Sequence, residues 1–272
     1  MRLLLTEPFA ASWKDKDPFE EVENLQGEVF REIEARRTLC FIFSDKRYFV
    51  KIHYGVGWIE IIKNLSCFRL PVIGAINEIQ AIQRLEQLNI ETMKIAGYGW
   101  KGLNPARQRS FIITEELTDT ISLEDYCEGC CESKPEFRLK YALIKKVADI
   151  SRRMHDNGIN HRDFYLCHFL IKKSQSIKGS PSGALKLFLI DLHRAQLRRK
   201  TPLRWRLKDI ASLYFSVMNI GLTQKDFYRF MSFYSGKSLK KCLTDVDGFW
   251  RKVEIKGQRL WQKKLRKDDK IE

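Results

Sequence analysis

Between Glu115 and Thr118 the chain changes its hydrophobic period. Before that point come short runs rich in β-branched and aromatic residues: Val29 to Ile33, Thr38 to Phe43, Arg47 to His53, Thr92 to Tyr98 and Ser110 to Thr114. Turn-like residues separate them, which is the pattern of a meandering sheet. One stretch interrupts it: Asn77 to Leu88 places Ile79, Ile82, Leu85 and Leu88 three apart and predicts a helix with one apolar face. After that point the period is helical, with Leu139, Leu143, Ile144, Val147, Ile150 and Met154 on one face of Arg138 to His155. The switch predicts an α+β chain: a small antiparallel β-sheet lobe with one helix over residues 1–117, and a larger, mainly helical lobe over 118–272. The extended crossover between them is a natural place for a ligand cleft. Residues up to Pro18 read as loop, and Ser44-Asp45-Lys46 as a hairpin turn. Ser122-x-x-Asp125 and Thr223-x-x-Asp226 read as capped helix starts. Two short strands, Phe169 to Ile171 and Leu187 to Ile190, flank a Ser/Gly/Lys loop at Lys172 to Gly183.

Charge narrows the partners. The 272 residues carry 49 Lys+Arg against 34 Asp+Glu, a net +15, which asks for an anionic partner without naming it. A hydrophobic share of 44% excludes wholesale disorder. The opening Met1 to Pro8 is too short an apolar stretch for a signal peptide, and no run approaches a membrane span. Seven scattered cysteines, an odd number, read as reduced thiols. Cys127-x-x-Cys130-Cys131 looks like half a zinc site, but no second Cys/His pair follows at finger spacing, so helix and loop cysteines are the better reading.

The strongest chemical signal is His161-Arg162-Asp163, on a loop after the long amphipathic helix. Twenty-eight positions later an apolar strand ends in Asp191. Two carboxylates so placed suit phosphoryl transfer: one takes the proton of the attacking hydroxyl, and the other holds the Mg²⁺ that screens the triphosphate of ATP. Lys51 lies inside a strand and Glu78 on the following helix. This order resembles the protein-kinase set of strand Lys, helix Glu, H-R-D loop and metal Asp, which implies a protein-kinase-like two-lobed fold. By that resemblance Lys51 contacts the α/β-phosphates, Glu78 holds Lys51, and Asp163 is the general base with Arg162 beside it. Asp191 is then the metal ligand, and Glu115 to Leu117 offers backbone groups to adenine through Glu115 and Leu117. Asp209 reads either as the buried helix aspartate that steadies the catalytic loop or as an exposed helix cap.

Two departures stand out. Five residues after Asp163, where a protein kinase has a metal-binding Asn, this chain has His168, which reads either as a metal ligand or as a phosphate-bonding or packing residue. No glycine-rich loop lies between the first two strands. The turn there reads Ile33 to Thr38, in which Arg36 or Arg37 either grips phosphate by side chain or is simply solvated.

Longer runs are more specific. Asp17-Pro18-Phe19-Glu20, Leu25 to Glu32, Phe111 to Glu115, Gly158 to Asp163, Cys167-His168-Phe169-Leu170, Ile190 to Leu197 and Asn219 to Thr223 are similar to the lipopolysaccharide core heptose(I) kinases of Gram-negative bacteria. The resemblance runs from about Glu7 to the mid-240s and includes His168. Phe164-Tyr165-Leu166 departs from the family's Cys-Tyr-Ile, a change expected to alter packing more than chemistry. The resemblance implies ATP-dependent phosphorylation of the first heptose of the inner core, at the cytoplasmic face of the inner membrane, by a peripherally associated protein.

An inner-core acceptor carries phosphates and carboxylates. The Arg-rich stretch after Asp191 (Arg194, Arg198 and Arg199, then Lys200, Arg204, Arg206 and Lys208) is the candidate grip for it, the alternative being a solvated charge run. Arg251 to Lys270 adds nine basic and three acidic residues, a tail that reads either as bound to an anionic membrane surface or as a frayed helix. An acidic carrier protein is a further conceivable partner. Rival readings are another sugar or small-molecule kinase of this fold, such as a Kdo kinase or an antibiotic phosphotransferase, and a pseudokinase interaction module. A nucleic-acid binder is disfavoured, since no finger, helix-turn-helix or RNP pattern is present.

Overall fold

The computed structural model describes residues 2–66, 71–129, 137–176, 185–245 and 248–268. In chain order the elements begin with β1 (Arg2–Leu5), α1 (Phe9–Ser12), α2 (Pro18–Asn24), β2 (Glu28–Ile33), β3 (Arg36–Phe43), β4 (Lys46–His53), α3 (Gly57–Ser66), α4 (Ile76–Gln87), β5 (Ile95–Lys101) and β6 (Arg109–Glu115). They continue with β7 (Thr120–Ser122), α5 (Leu123–Gly129), α6 (Phe137–Asp156), β8 (Ile159–Asn160), β9 (Phe169–Lys172), α7 (Lys173–Ser176), β10 (Leu187–Leu189) and β11 (Gln196–Leu197). The last four are α8 (Leu203–Ser216), α9 (Gln224–Ser235), α10 (Leu239–Leu243) and α11 (Phe249–Asp268). The chain divides into two units. The first holds Met1–Arg84, Met93–Thr118 and Leu192–Arg194, and the second Leu85–Thr92, Asp119–Asp191 and Ala195–Glu272.

In the first unit six antiparallel strands run in the order β1-β5-β6-β4-β3-β2. The β3–β4 hairpin closes on Ser44 and Asp45 alone, both at positive φ (47° and 62°), which twists the turn to match its strands. Alternation along β4 sends Tyr48, Val50 and Ile52 into the core and Lys51 to the opposite face.

The segment before Pro18 is not loop. β1 pairs with β5, and α1 and α2 cover one face of the sheet. Phe9 stacks on Phe43 at 4.5 Å and packs edge-on to Tyr48 at 5.0 Å, while Phe19 meets Phe111 at 5.1 Å. Helices of four and seven residues are too short to show a 3.6 period, so their aromatic residues look like loop until the sheet beneath them is seen. Each fully buried ring contributes about 1.5–3 kcal/mol. Asp17 caps α2 by accepting from the Phe19 amide at 2.8 Å, with Pro18 in the first turn.

In the second unit α6 packs on α9 and α8 on α11. Ser122 and Asp125 bond reciprocally at the start of α5, and Thr223 and Asp226 do so at α9, as their spacing predicts. Burial disfavours the charged Asp226 carboxylate, but bonds from Lys140 and Thr223 outweigh it and hold its pKa down to about 2. The basic tail is neither frayed nor wholly solvated. Val253 and Gly257 of α11 are buried, Trp261 meets Phe215 at 6.1 Å, and a Cβ at Gly257 would lie 2.4 Å from the Tyr214 ring. Arg251, Lys252, Arg259, Lys263, Lys264, Arg266 and Lys267 stay exposed on its outer side. Cys127 sits half-buried on α5, whereas Cys130 and Cys131 lie outside the described residues.

Candidate active site

In the first unit, Lys51 on β4 reaches Glu78 on α4 with Nζ to Oε1 at 2.8 Å. Glu78 is buried, so this pair is shielded from solvent, and removing Lys51 strands a buried carboxylate at a cost of about 3–5 kcal/mol. Two strands flank β4, β3 and β6, which fixes the direction of Lys51.

Strand register separates the two arginines. Ile33 pairs with Arg36, so the turn between β2 and β3 is Glu34-Ala35 only, and Arg36 and Arg37 belong to β3 rather than to the turn. Arg36 pairs with His53 and Thr38 with Lys51, which puts Arg36 on the face that carries Lys51. Arg37 occupies the opposite face, where it pairs with Glu32 at 3.7 Å and donates to the Glu23 carbonyl. Burial, reinforced by Arg36 and Lys51, holds His53 down to about 3, so it is neutral. The amides of Glu115 and Glu116 donate to the Lys94 and Arg47 carbonyls, and Leu117 follows them at the end of β6.

In the second unit the loop after β8 is held from below by Asp209 of α8. One carboxylate oxygen accepts from the His161 amide at 2.7 Å and the other from the Arg162 amide at 2.9 Å. Asp209 is fully buried, so it is the loop anchor and not an exposed cap. His155 stands 3.3 Å from the same carboxylate and is held at its other nitrogen by Tyr234. This bracing sustains Arg162 at φ 74°, a left-handed backbone that side chains otherwise avoid. Gly158 enters the loop at φ 81°, where a Cβ would fall 1.7 Å from the Arg198 carbonyl, so only glycine fits.

The segment carrying Asp191 is bolted to the same loop. His161 donates from Nε2 to the Ile190 carbonyl at 2.9 Å, and the Ile190 amide donates to the His168 carbonyl at 3.0 Å. Burial lowers the pKa of His161, which stays a neutral donor. His168 donates from Nδ1 to the Asp163 carbonyl at 2.7 Å. A carbonyl only accepts, so Nδ1 carries a proton, and Nε2 is the ring nitrogen left to face outward. That nitrogen faces an Asp191 oxygen at 3.7 Å. Asp191 offers a carboxylate oxygen that suits the expected metal, and the imidazole nitrogen beside it is a weaker partner for a hard ion.

The expected acceptor arginines part company. Arg194 ends the short turn Leu192–Arg194, which belongs to the first unit. Arg198 is half-buried and donates to Asn160 Oδ1 and Gln196 Oε1, and Arg199 is exposed on the connection to α8. Ser216 and Trp205 carried no sequence signal. The Ser216 hydroxyl accepts from the Leu166 amide at 3.0 Å, and Trp205 has cations around its ring.

Residues 20–234 match the model of the lipopolysaccharide kinase (Kdo/WaaP) family. The chain is 52% identical over 263 residues to the lipopolysaccharide core heptose(I) kinase WaaP of Escherichia coli, covering 97% of this chain and 98% of that protein. It is 48% identical over 269 residues to the enzyme of the same name from Pseudomonas aeruginosa, covering 99% of each. A solved structure described as WaaP in complex with acyl carrier protein superposes with a TM-score of 0.83 at 44% identity, covering 96% of this chain and all of that one. The expected α+β, kinase-like fold is thus the fold found. With relatives this similar over nearly the whole length, the chain belongs to the lipopolysaccharide kinase (Kdo/WaaP) family.

Proposed function

We propose that this chain transfers the γ-phosphoryl group of ATP to the first heptose of the lipopolysaccharide inner core. The reading is supported by the Asp209-braced loop, on which the Asp163 carbonyl holds His168 and the His168 ring faces Asp191, and, within the first unit, by the Lys51–Glu78 pair. A pseudokinase has no need to hold all of these groups in order.

Each group has a role. Lys51, kept extended by Glu78, neutralises the α/β-phosphates, with Arg36 on the same strand face. Backbone groups of Glu115 and Leu117 hold adenine. Asp163 orients the acceptor hydroxyl and takes its proton as the new O–P bond forms, while the bond from γ-phosphorus to the bridging oxygen breaks and ADP leaves. Arg162 fixes the loop beside it. Asp191 and His168 would hold Mg²⁺, which when bound screens charge on the β- and γ-phosphates. Transfer from labelled ATP to phosphate-free lipopolysaccharide, compared with an acceptor truncated before the heptose, tests the reading. Transfer to the truncated acceptor would instead support a Kdo kinase.

For location, we propose a peripheral seat on the cytoplasmic face of an anionic membrane. Among the described residues no helix is long and apolar enough to cross a bilayer. Support for surface binding comes from α3, whose Trp58, Ile59, Ile62 and Leu65 are all more than half exposed, and from fully exposed Leu103. An amphipathic helix with an uncovered apolar face suits the headgroup boundary, and the cations of α11 suit anionic lipid. Flotation with phosphatidylglycerol-containing vesicles should fall at least fivefold for Ile59→Glu/Ile62→Glu, and unchanged flotation would contradict the assignment. An acidic carrier protein is extended to this chain from the solved relative, and capture of acyl carrier protein by the purified chain, lost at high salt, is the expected result.

A further inference from the structure

The first turns of α8 gather positive charge around a single indole. Arg162 and Arg198 each place Cζ 5.7 Å from the Trp205 ring centroid, Arg204 places Cζ at 5.5 Å, and Lys208 places Nζ at 5.4 Å. One cation over an aromatic face is attractive, but four around one ring repel each other. Burial lowers the pKa of Arg198 and the charge of Arg204 lowers it further. Arg198 donates to the neutral oxygens of Asn160 and Gln196, and among the described residues no carboxylate pairs with Arg198 or Arg204. Asp209, one turn further along α8, has both oxygens committed to the catalytic-loop amides.

The neutral groups here are donors as well. Trp205 Nε1 and Asn160 Nδ2 are buried with no hydrogen-bond partner among the described residues, and Asn160 is fully buried. Orphaned buried donors are rare and ask for an acceptor. Four cations and two N–H donors around one platform are complementary to an oxyanion.

The platform is also tied to the chemistry. β11 pairs with β8 so that Gln196 faces Asn160, which directly precedes His161, and Arg162 adjoins Asp163. We propose that the Trp205 collar is an oxyanion subsite for the acceptor, binding a phosphate or carboxylate of the acidic glycolipid and thereby placing its reacting hydroxyl at Asp163. The assignment rests on the glycolipid-kinase reading above, and within the Arg-rich stretch it selects Arg198, Arg204 and Lys208 over Arg194 and Arg199.

Two measurements test it. In steady-state transfer to lipopolysaccharide that lacks only the heptose phosphate, Arg204→Gln/Lys208→Gln should raise the acceptor KM about tenfold and leave the KM for ATP within twofold. A loss that falls on kcat or on ATP, with the acceptor KM unmoved, overturns the subsite. The same comparison with carboxyl-reduced and with dephosphorylated acceptor names the anion, because the penalty disappears with whichever acceptor lacks it. A penalty that survives both treatments overturns the acceptor assignment. Separately, with the nucleotide site saturated by a non-hydrolysable ATP analogue, inorganic phosphate should give a saturable change in tryptophan fluorescence that Trp205→Phe abolishes. No change in the unaltered protein sinks the collar whatever the acceptor proves to be, so failure of the subsite and failure of the kinase reading are separable.

Discussion

Asp163→Asn should lower phosphoryl transfer about 10³-fold while ATP binding stays within twofold, because the amide keeps the shape of the carboxylate and cannot take a proton. The surroundings favour a clean result. The Asp163 carbonyl accepts from both His168 Nδ1 and the Tyr165 amide, so the backbone is fixed independently of the side chain that changes. Pre-steady-state transfer with calorimetric ATP binding separates the two effects. More than a tenth of the original rate in the variant would remove Asp163 from the role of base.

Asp209→Ala should be the costlier change for the fold. It orphans the His161 and Arg162 amides in a fully buried site and takes away the partner of His155. Each buried unsatisfied donor costs about 1–3 kcal/mol, so a loss of about 3–5 kcal/mol is expected by denaturant unfolding. Transfer should fall at least about 10²-fold even where the protein remains folded, since the left-handed Arg162 backbone loses its brace and Asp163 its position. Asp209→Asn, which retains one acceptor oxygen, should lie between the two. A folded Asp209→Ala protein with unaltered transfer would show that the loop holds itself.

The chemistry was legible because its residue types are few and their order along the chain is informative. His161, Asp163, Asp191, Lys51 and Glu78 lie on the elements that their flanking patterns predict. The choice between the two readings of Asp209, and the anchoring of His168, needed three dimensions. A buried carboxylate under two amides and an imidazole proton fixed by a carbonyl are facts of packing that spacing does not carry. Arg36 and Arg37 show a subtler limit. Adjacent residues look alike in a turn, but once β3 begins at Arg36 the period of two sends them to opposite faces. The N-terminal aromatics failed for want of helix length. The collar was invisible for another reason: Arg162, Arg198, Arg204 and Lys208 are spread over 47 positions and meet only because β11 folds back on β8 and α8 follows. The basic charge was counted correctly at the start, but its placement around one indole was not readable.

Locating the transferred phosphate is the decisive measurement. Phosphate-free lipopolysaccharide is incubated with the protein, ATP and Mg²⁺, and the product is analysed by ³¹P NMR and fragment mass spectrometry of the released core. One new phosphomonoester on the first heptose, absent with Asp163→Asn, is the predicted result. Phosphate on another sugar, or none from correctly folded protein, would contradict the account.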